Sequence, residues 1–490
     1  MAGGRTRRRH HPRWTLAASI LASSLSFVDG SVLNVALPAI RASYQAGAAE
    51  VQWVVNAYLL PLSALLLLGG ALGDRFGRRL LLVIGTALFA AASLVCALAP
   101  SLEILLGARA AQGVGAALLL PNSLALLNAA YEGEKRGRAV GIWAAAGAAA
   151  AAGAAAAAVA PLIGGWLVDN VGWPAIFYIN LPLAAGAITL ALAFVDESRD
   201  PATGRTDYAG ALLATAGLGS ATYGLTLWSS SGRFGGLAIG SILAGAALLA
   251  AFLRVERDRD EKAMMPLGLF KDSCFAGLNL MTLLLYGAFG AVMLIVPYVL
   301  IEAGGYSPIE AGLALLPLPI LLTVGSPIMG QLAMRIGPHL PLTIGPLAVG
   351  AGMLLGLRIE ADASYWTTVL PAVSVMALGM AIAVAPLTAA VLGSVEETHV
   401  AMASGFNSAV ARIGGLVATA LLGVVLSQQG ARMIAGFHGA MLASAIVAAA
   451  ASAVAWFSLR SSKSPRPCEP RRGSGPAGSI AAPAFPCVGR

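Results

Sequence analysis

The stretch Gly70-Ala71-Leu72-Gly73-Asp74-Arg75-Phe76-Gly77-Arg78-Arg79 decides how the chain is interpreted. It is a short charged turn, punctuated by glycine, between two apolar runs over 64–70 and 80–99. Charges are scarce in the rest of the chain: only 11% of the 490 residues are Asp, Glu, Lys or Arg, whereas a soluble domain carries about 25%. A cluster of charges between two apolar runs indicates where the chain leaves a lipid bilayer.

Apolar segments long enough to cross a bilayer recur on both sides of this turn. The chain is 58% hydrophobic, with a mean hydropathy of +0.79. Strands of a β-barrel are excluded because the apolar runs are continuous rather than alternating. The sequence predicts fourteen membrane helices, near 16–40, 51–72, 80–99, 102–124, 139–168, 176–195, 208–228, 235–253, 274–301, 311–334, 340–357, 366–392, 400–426 and 437–459.

The basic residues indicate the orientation of these helices. Suppose that the N-terminus is cytoplasmic and that every predicted span crosses the membrane. Most of the 31 Lys and Arg residues then lie on the cytoplasmic side, in the two tails and in alternate connections. This pattern predicts a multi-pass membrane protein with both termini in the cytoplasm, and we expect the membrane to be the plasma (cytoplasmic) membrane. It also explains the net charge of +8, and its spread over many short loops argues against nucleic acid as a partner. The four scattered cysteines have no metal-ligand or disulfide spacing.

The predicted organisation has five parts. They are a cytoplasmic basic tail over 1–13, a six-helix bundle over 14–195, two linker helices with cytoplasmic loops over 196–271, a second six-helix bundle over 272–460, and a disordered cytoplasmic tail over 461–490. A weak internal repeat supports two halves, because residues 70–77 and 330–337 both read G-x-L-x-x-R-x-G. Internal duplication is how many transporters are built.

Asp29 and Arg109 are the most informative charges within spans. A charge near the middle of a bilayer costs about 2.5–3.5 kcal/mol on insertion scales, so such residues are functional candidates. Burial disfavours an ionised carboxyl group, so Asp29 could hold a proton in one conformation and release it in another. At about 1.5 Å per residue, the two side chains lie at similar depth. The sequence leaves open whether the two side chains touch. It also leaves open a purely structural role, as an interhelical hydrogen bond of Asp29 or an ion pair of Arg109.

Arg412 also falls within a predicted span. It is either a charge in a central cavity or, if that span begins later, an arginine at the start of a helix. The motif G-x-x-x-x-G-K-[ST] does not occur in the chain, and no Ser/His/Asp set is evident. We therefore expect neither ATP-driven transport nor an enzyme, with no catalytic or metal-binding residues.

Several further stretches accompany the turn. They are Asp29-Gly30-Ser31-Val32-Leu33-Asn34-Val35-Ala36-Leu37-Pro38, Trp53 with Tyr58, Arg109-Ala110-Ala111-Gln112-Gly113-Val114-Gly115, Pro161-Leu162-Ile163-Gly164-Gly165, Gly172-Trp173 with Ile176–Pro182, and Ser307–Gly312 with Pro317. Together they resemble the major facilitator superfamily, and in particular its fourteen-helix drug:proton antiporter branch, over roughly residues 14–460. Ala160 and Pro174 depart from the family, which usually has glycine and arginine there.

The resemblance implies an all-α membrane protein with the major facilitator fold, in which two six-helix bundles are joined by two extra central transmembrane helices, fourteen in total. It implies proton-coupled efflux (antiport) of lipophilic or cationic small molecules, such as antibiotics or secondary metabolites, by alternating access. Protons would be the coupling ion, with no other cofactor. The partners would be a lipophilic substrate and the lipid bilayer, and we expect a monomer. Uptake or uniport by the same fold, or a non-transporting membrane enzyme or sensor, are the alternatives.

The resemblance, together with the depth and burial arguments above, assigns roles to particular residues. Asp29 and Arg109 would couple the proton. The set expected to act in the conformational switch is Gly70, Gly73, Asp74, Arg75, Gly77, Arg78 and Arg79; the helix-5 antiporter set is Pro161, Gly164 and Gly165; and the candidate cavity residues are Asn34, Gln112 and Arg412. We also expect Asp74, in the outward-open state, to contact the positive end of the helix that follows Glu396-Glu397-Thr398-His399.

Overall fold

The fold is built from helices. In a computed structural model of the chain, the described residues are 12–131, 156–199, 207–259, 267–361, 363–395 and 400–461, and they contain no strand. The helices are α1 (Pro12–Tyr44), α2 (Ala48–Phe76), α3 (Arg78–Ala97), α4 (Leu102–Ala130), α5 (Ala156–Asn170), α6 (Ala175–Phe194), α7 (Tyr208–Ser231), α8 (Gly236–Arg259), α9 (Ser273–Glu302), α10 (Pro308–Ile336), α11 (His339–Arg358), α12 (Tyr365–Gly393), α13 (Val400–Leu421, continued by Gly423–Leu426) and α14 (Gly430–Ser461).

Within these described ranges, twelve helices are long and apolar enough to cross a membrane. The other two are α5 and α7. Of predicted span 5, only the part from residue 156 onward is described as helix, within the 15-residue helix Ala156–Asn170, and most of its alanine-rich run lies outside the described residues. Helix α7 is long enough but rich in glycine, serine and threonine. The predicted all-helical membrane fold is therefore confirmed, and the total of fourteen crossings stays a prediction.

The helices pack as two groups with a pair beside them. Helices α1 to α6 pack against one another, and so do α9 to α14. The two groups meet where α2 contacts α13, α5 contacts α10 and α1 contacts α9. Helix α7 packs against both α2 and α13, and α8 packs on α7. Helix α7 thus covers one seam between the bundles, and the domain boundaries given above stay predictions.

Glycines bring α2, α3 and α4 unusually close together. A Cβ atom on Gly69 would lie 2.0 Å from the Ala117 carbonyl oxygen, and one on Gly113 would lie 2.3 Å from that of Tyr58. Gly115 meets α3 in the same way, since its Cβ would lie 2.8 Å from the Gly85 carbonyl oxygen. Small residues at such crossings let helix backbones approach in a membrane, where no hydrophobic driving force acts between helices. Helix α4 is therefore held tightly on two sides.

The repeated G-x-L-x-x-R-x-G stretches form matching turns. Gly77 separates α2 from α3 with φ +126°, and Gly337 follows α10 with φ +83°. Glycine adopts these values at little cost because it has no Cβ. The internal repeat seen in the sequence thus corresponds to the same backbone feature in both bundles.

The bundles are joined at one end of the molecule. We call the end that holds Gly77 the Gly77 end and the opposite end, at the turn between α1 and α2, the Gly47 end. Close to the Gly47 end, Arg41 Nη1 donates to the hydroxyl of Tyr298 at 2.5 Å. Two further bonds cross the same interface: Gln52 Nε2 donates to the Thr419 carbonyl oxygen at 2.8 Å, and the Ile309 amide donates to Asp169 Oδ2 at 3.1 Å. The Gly47 end is therefore closed between the two bundles.

Replacing Gly113 by valine tests the close packing of α4. The new side chain would overlap the α2 backbone, and overpacking of this kind costs about 1–3 kcal/mol. We expect a lower melting temperature for the detergent-purified variant. Gly107→Val, on the same helix, is the matched control because no atom lies within 4 Å of a Cβ at Gly107. Equal melting temperatures for the two variants would contradict the packing described.

Candidate functional site

Asp29 of α1 and Arg109 of α4 form a buried ion pair. Arg109 Nη1 donates to Asp29 Oδ2 at 2.5 Å. Arg109 is 0% exposed and Asp29 is 4% exposed. The similar depth estimated from the sequence therefore corresponds to direct contact. Breaking such a pair by removing one partner costs about 3–5 kcal/mol, because the other charge is left uncompensated.

Buried amide and hydroxyl groups hold this carboxylate in place. Gln112 Nε2 and Asn180 Nδ2 each lie 3.4 Å from Asp29 Oδ1. Both amides also donate to Ser93 Oγ, at 2.7 and 3.3 Å. Gln112 in turn accepts a hydrogen bond from Arg109 Nη1 at 2.8 Å. Four helices, α1, α3, α4 and α6, thus converge on one charged pair.

Aromatic rings enclose the guanidinium group of Arg109. Its Cζ lies 4.6 Å from the ring centroid of Tyr58 and 5.9 Å from that of Phe177, which are cation–π distances. Its Nε donates to the Val54 carbonyl oxygen at 3.1 Å. Its Nη2 is buried and has no hydrogen-bond partner among the described residues. The guanidinium group therefore retains one nitrogen, with two N–H donors, that no described residue uses.

A cavity of about 270 Å³ lies between the two bundles and reaches this site. Helices α1, α2 and α4 line one wall, which includes Asn34 and Arg109. Helices α9 and α13 line the other, which includes Arg412. Gln112, predicted to face a cavity, is not among the lining residues and lies in the hydrogen-bond network instead. Most other lining side chains are apolar or glycine.

Arg412 is not at the start of its helix. Helix α13 begins at Val400, so Arg412 lies about 18 Å along it at 1.5 Å per residue. This position excludes the alternative of a helix-start arginine. Within the described ranges, the buried Arg412 Nε has no hydrogen-bond partner, and no acidic side chain forms an ion pair with Arg412. Arg412 therefore places a second guanidinium group on the cavity wall.

The charged turn lies away from this cavity. Asp74 accepts a hydrogen bond from Arg78 Nε at 2.8 Å. The carboxylate of Glu197, just beyond α6, accepts hydrogen bonds from the backbone amides of Arg79 at 2.9 Å and Leu80 at 3.2 Å, at the beginning of α3. A negative charge at the first amides of a helix is favourable because these amides lack intrahelical partners. The turn is thus fastened to the end of α6.

The other predicted switch residues face α4 or the surface. A Cβ atom on Gly73 would lie 1.6 Å from Asn122 Oδ1, and one on Gly70 would lie 3.5 Å from Pro121 Cβ. Arg75 is exposed. The predicted contact of Asp74 with the start of α13 involves residues 396–399, which lie outside the described residues.

The two glycines of the helix-5 set lie at contacts between helices. A Cβ atom on Gly164 would lie 2.5 Å from Val32 Cγ1 of α1, and one on Gly165 would lie 2.5 Å from Ile309 Cα of α10. Gly165 therefore lets α5 meet the second bundle near the Gly47 end. Pro161 lies in the same helix, and its side chain is outside the described part.

Sequence reasoning missed three residues of this site as functional candidates. Ser93 accepts hydrogen bonds from the amides beside Asp29, and Asn180 donates to the Asp29 carboxylate. Tyr58 both covers Arg109 and lines the cavity. Tyr58 and Asn180 were quoted in the sequence analysis only as parts of stretches that resemble the family, without a role of their own. The available signal was a polar side chain within an apolar span, which is a functional indication by default.

Comparison with known proteins identifies the family. The model of the Major Facilitator Superfamily matches residues 19–255 and 278–486. The multidrug resistance protein Stp of Mycobacterium tuberculosis (strain CDC 1551 / Oshkosh) is 34% identical over 84% of this chain and 75% of its own. The tetracenomycin C resistance and export protein of Streptomyces glaucescens is 33% identical over 86% and 77%. The methylenomycin A resistance protein of Bacillus subtilis (strain 168) is 33% identical over 82% and 85%.

Solved structures share the fold at low sequence identity. An inward-facing, unoccupied bacterial homologue of the human lysosomal transporter Spinster aligns with a TM-score of 0.60 and 17% identity, covering 93% of this chain and 98% of that one. A POT family transporter in complex with a thioalcohol-conjugated peptide aligns with a TM-score of 0.67 and 14% identity, covering 92% and 96%. Given these matches and the two bundles around a central cavity, the chain belongs to the Major Facilitator Superfamily.

Proposed function

We propose that the protein exports lipophilic small molecules across the cytoplasmic membrane in exchange for protons. The observation that carries the proposal is the buried Asp29–Arg109 pair, whose arginine lines a cavity between the two bundles. An ionisable pair inside a membrane protein marks an ion or proton pathway by default. A cavity at the interface of two bundles is where transporters of this kind bind their substrate.

The relatives support export. The three named above are described as proteins of drug or antibiotic resistance, and one of them as an export protein. Each is over 30% identical to this chain across more than four-fifths of its length. Their names do not mention protons, so the coupling rests on Asp29, which is the only acidic residue of the described ranges placed at the cavity depth.

The basic residues support an orientation with the Gly77 end in the cytoplasm. Arg75, Arg78 and Arg79 lie there, and so do Arg259 at the end of α8 and Arg335 at the end of α10. Cytoplasmic connections carry an excess of Lys and Arg. In this orientation the hydrogen bonds at the Gly47 end close the outer side, so the described state is the one that receives substrate from the cytoplasm.

The transport cycle then follows from the pair. In the described state the ionised carboxylate of Asp29 is paired with Arg109. A proton that arrives from the outer side neutralises Asp29 and weakens its hold on Arg109, which alters how α1 and α4 pack. Release of that proton to the cytoplasm restores the pair and completes one cycle, while the bundles rock about the cavity and expose it to each side in turn.

Asp29→Asn tests the proton coupling. The amide cannot ionise, so a proton gradient should no longer drive export. We expect cells that express the wild-type protein to tolerate at least one lipophilic toxic compound at several-fold higher concentration, and cells that express Asp29→Asn to lose this tolerance. In proteoliposomes, transport of that compound should follow an imposed proton gradient only in the wild type. Asp29→Glu, which keeps an acid, is the control, and unchanged gradient-driven transport by Asp29→Asn would refute the role of Asp29.

A double variant separates loss of coupling from loss of folding. Asp29→Asn alone leaves the buried guanidinium group uncompensated, which should destabilise the protein by about 3–5 kcal/mol. Asp29→Asn combined with Arg109→Gln removes both charges and should recover part of that loss. Melting temperatures in one detergent provide the comparison. The ion pair has no such energetic role if the double variant melts no higher than Asp29→Asn.

Asp74→Asn tests the switch at the turn. An interaction of Asp74 with a helix end is worth about 0.3–1 kcal/mol, so transport should slow about two- to fivefold. The carboxylate of Asp74 also pairs with Arg78 in the described state, and Arg78→Gln separates that contact from the predicted contact with α13. A transport rate that Asp74→Asn does not change would rule out a switching role for this residue.

A further inference from the structure

The charges in the middle of the molecule do not balance. Among the described residues, the charged side chains that lie near the middle of a helix are Asp29, Arg109 and Arg412. The part of predicted span 5 that lies outside the described residues, 139–155, contains no charged residue. The sum at this depth is therefore one positive charge when Asp29 is ionised.

That excess charge belongs to Arg412. Asp29 is paired with Arg109. Among the described residues, by contrast, Arg412 has no acidic partner and its buried Nε has no hydrogen-bond partner. Arginine stays charged in proteins. A charge at this depth faces an opposite charge or water, since exposure to lipid is costly. The side chain that lacks a counter-ion is also one that lines the cavity.

The cavity combines this charge with apolar walls. Leu33, Leu59, Phe289 and Met293 line it together with Arg412. A volume of about 270 Å³ accommodates a small aromatic molecule. Guanidinium groups bind carboxylates through two parallel hydrogen bonds, and these charge-assisted bonds are about twice as strong as neutral ones. We infer that the cavity binds a lipophilic organic anion, whose acidic group pairs with Arg412 while its apolar body packs against these walls.

The charge sum explains why an anion fits better than a cation. With Asp29 ionised and a monoanion bound, the cavity is neutral, and a neutral cavity can close around its contents at the least electrostatic cost. A bound monocation would instead bring the sum to two positive charges. From the sequence we expect lipophilic or cationic substrates. The charge of Arg412, unpaired among the described residues, favours lipophilic substrates that are anionic over those that are cationic. This inference rests on the proposed export function but does not depend on proton coupling through Asp29.

Three probes of one shape test the inference. We would measure by equilibrium dialysis at pH 7 the binding of 1-naphthoate, the neutral 1-naphthamide and the cationic 1-naphthylmethylammonium. The protein would be held in nanodiscs of phosphatidylcholine, which has no net charge. The wild type should bind naphthoate about tenfold more tightly than the cation, or more. Arg412→Gln should lose most of this preference and Arg412→Lys should keep it. Unchanged naphthamide binding by Arg412→Gln reports that the cavity is intact.

Several outcomes would overturn the inference. They are cation binding as tight as naphthoate binding, a preference that survives Arg412→Gln, and no binding of naphthoate by the wild type. Loss of naphthoate binding in nanodiscs that contain phosphatidylglycerol would assign Arg412 to an anionic lipid headgroup instead. A naphthoate preference that persists while Asp29→Asn leaves gradient-driven export unchanged would uphold this site and refute the proton coupling, so the two proposals fail separately.

Discussion

The ion pair between Asp29 and Arg109 is the constraint on which the first bundle depends. A buried ion pair contributes little net stability, because desolvation offsets most of the attraction. Its effect is instead on geometry. Neither charge can be left alone in a membrane interior, so α1 and α4 must stay within contact wherever the pair is ionised. The amide of Asn180 extends the same constraint to α6, since buried donors need acceptors as well.

Close backbone packing makes this pair geometrically feasible. The glycines at positions 69, 85, 113 and 115 let α4 approach α2 and α3, which places Arg109 against Tyr58 and the Val54 carbonyl oxygen. Larger side chains there would push α4 outward and away from α1. The second bundle has no equivalent, because Arg412 stands on α13 without a carboxylate beside it in the described ranges. The two bundles share one fold but differ in how their central charges are satisfied.

The sequence predicted well those features that depend on local chemistry. Apolar length defined most spans, and the repeated G-x-L-x-x-R-x-G stretch marked two helix ends at which the structure has a glycine with positive φ. Helix rise placed Asp29 and Arg109 at one depth, but their contact depends on the relative rotation of two helices, which no local pattern reports. Gln112 shows the same limit: its position in α4 was known, and only packing decides that it turns toward Ser93 rather than the cavity. The role of Ser93 has no local signal beyond its polarity.

The closure at the Gly47 end has a physical consequence for how the molecule changes shape. The bonds described there join a charged or amide group to a hydroxyl, a carbonyl or a backbone amide, as in Arg41 with Tyr298 and Asp169 with Ile309. None of these bonds is an attraction between two full charges. Salt screens the attraction between exposed full charges over distances of about 10 Å, whereas a charge–dipole contact acts only at short range. In the proposed transport cycle this end opens, and we expect that step to depend little on ionic strength and more on water that competes for the same donors and acceptors.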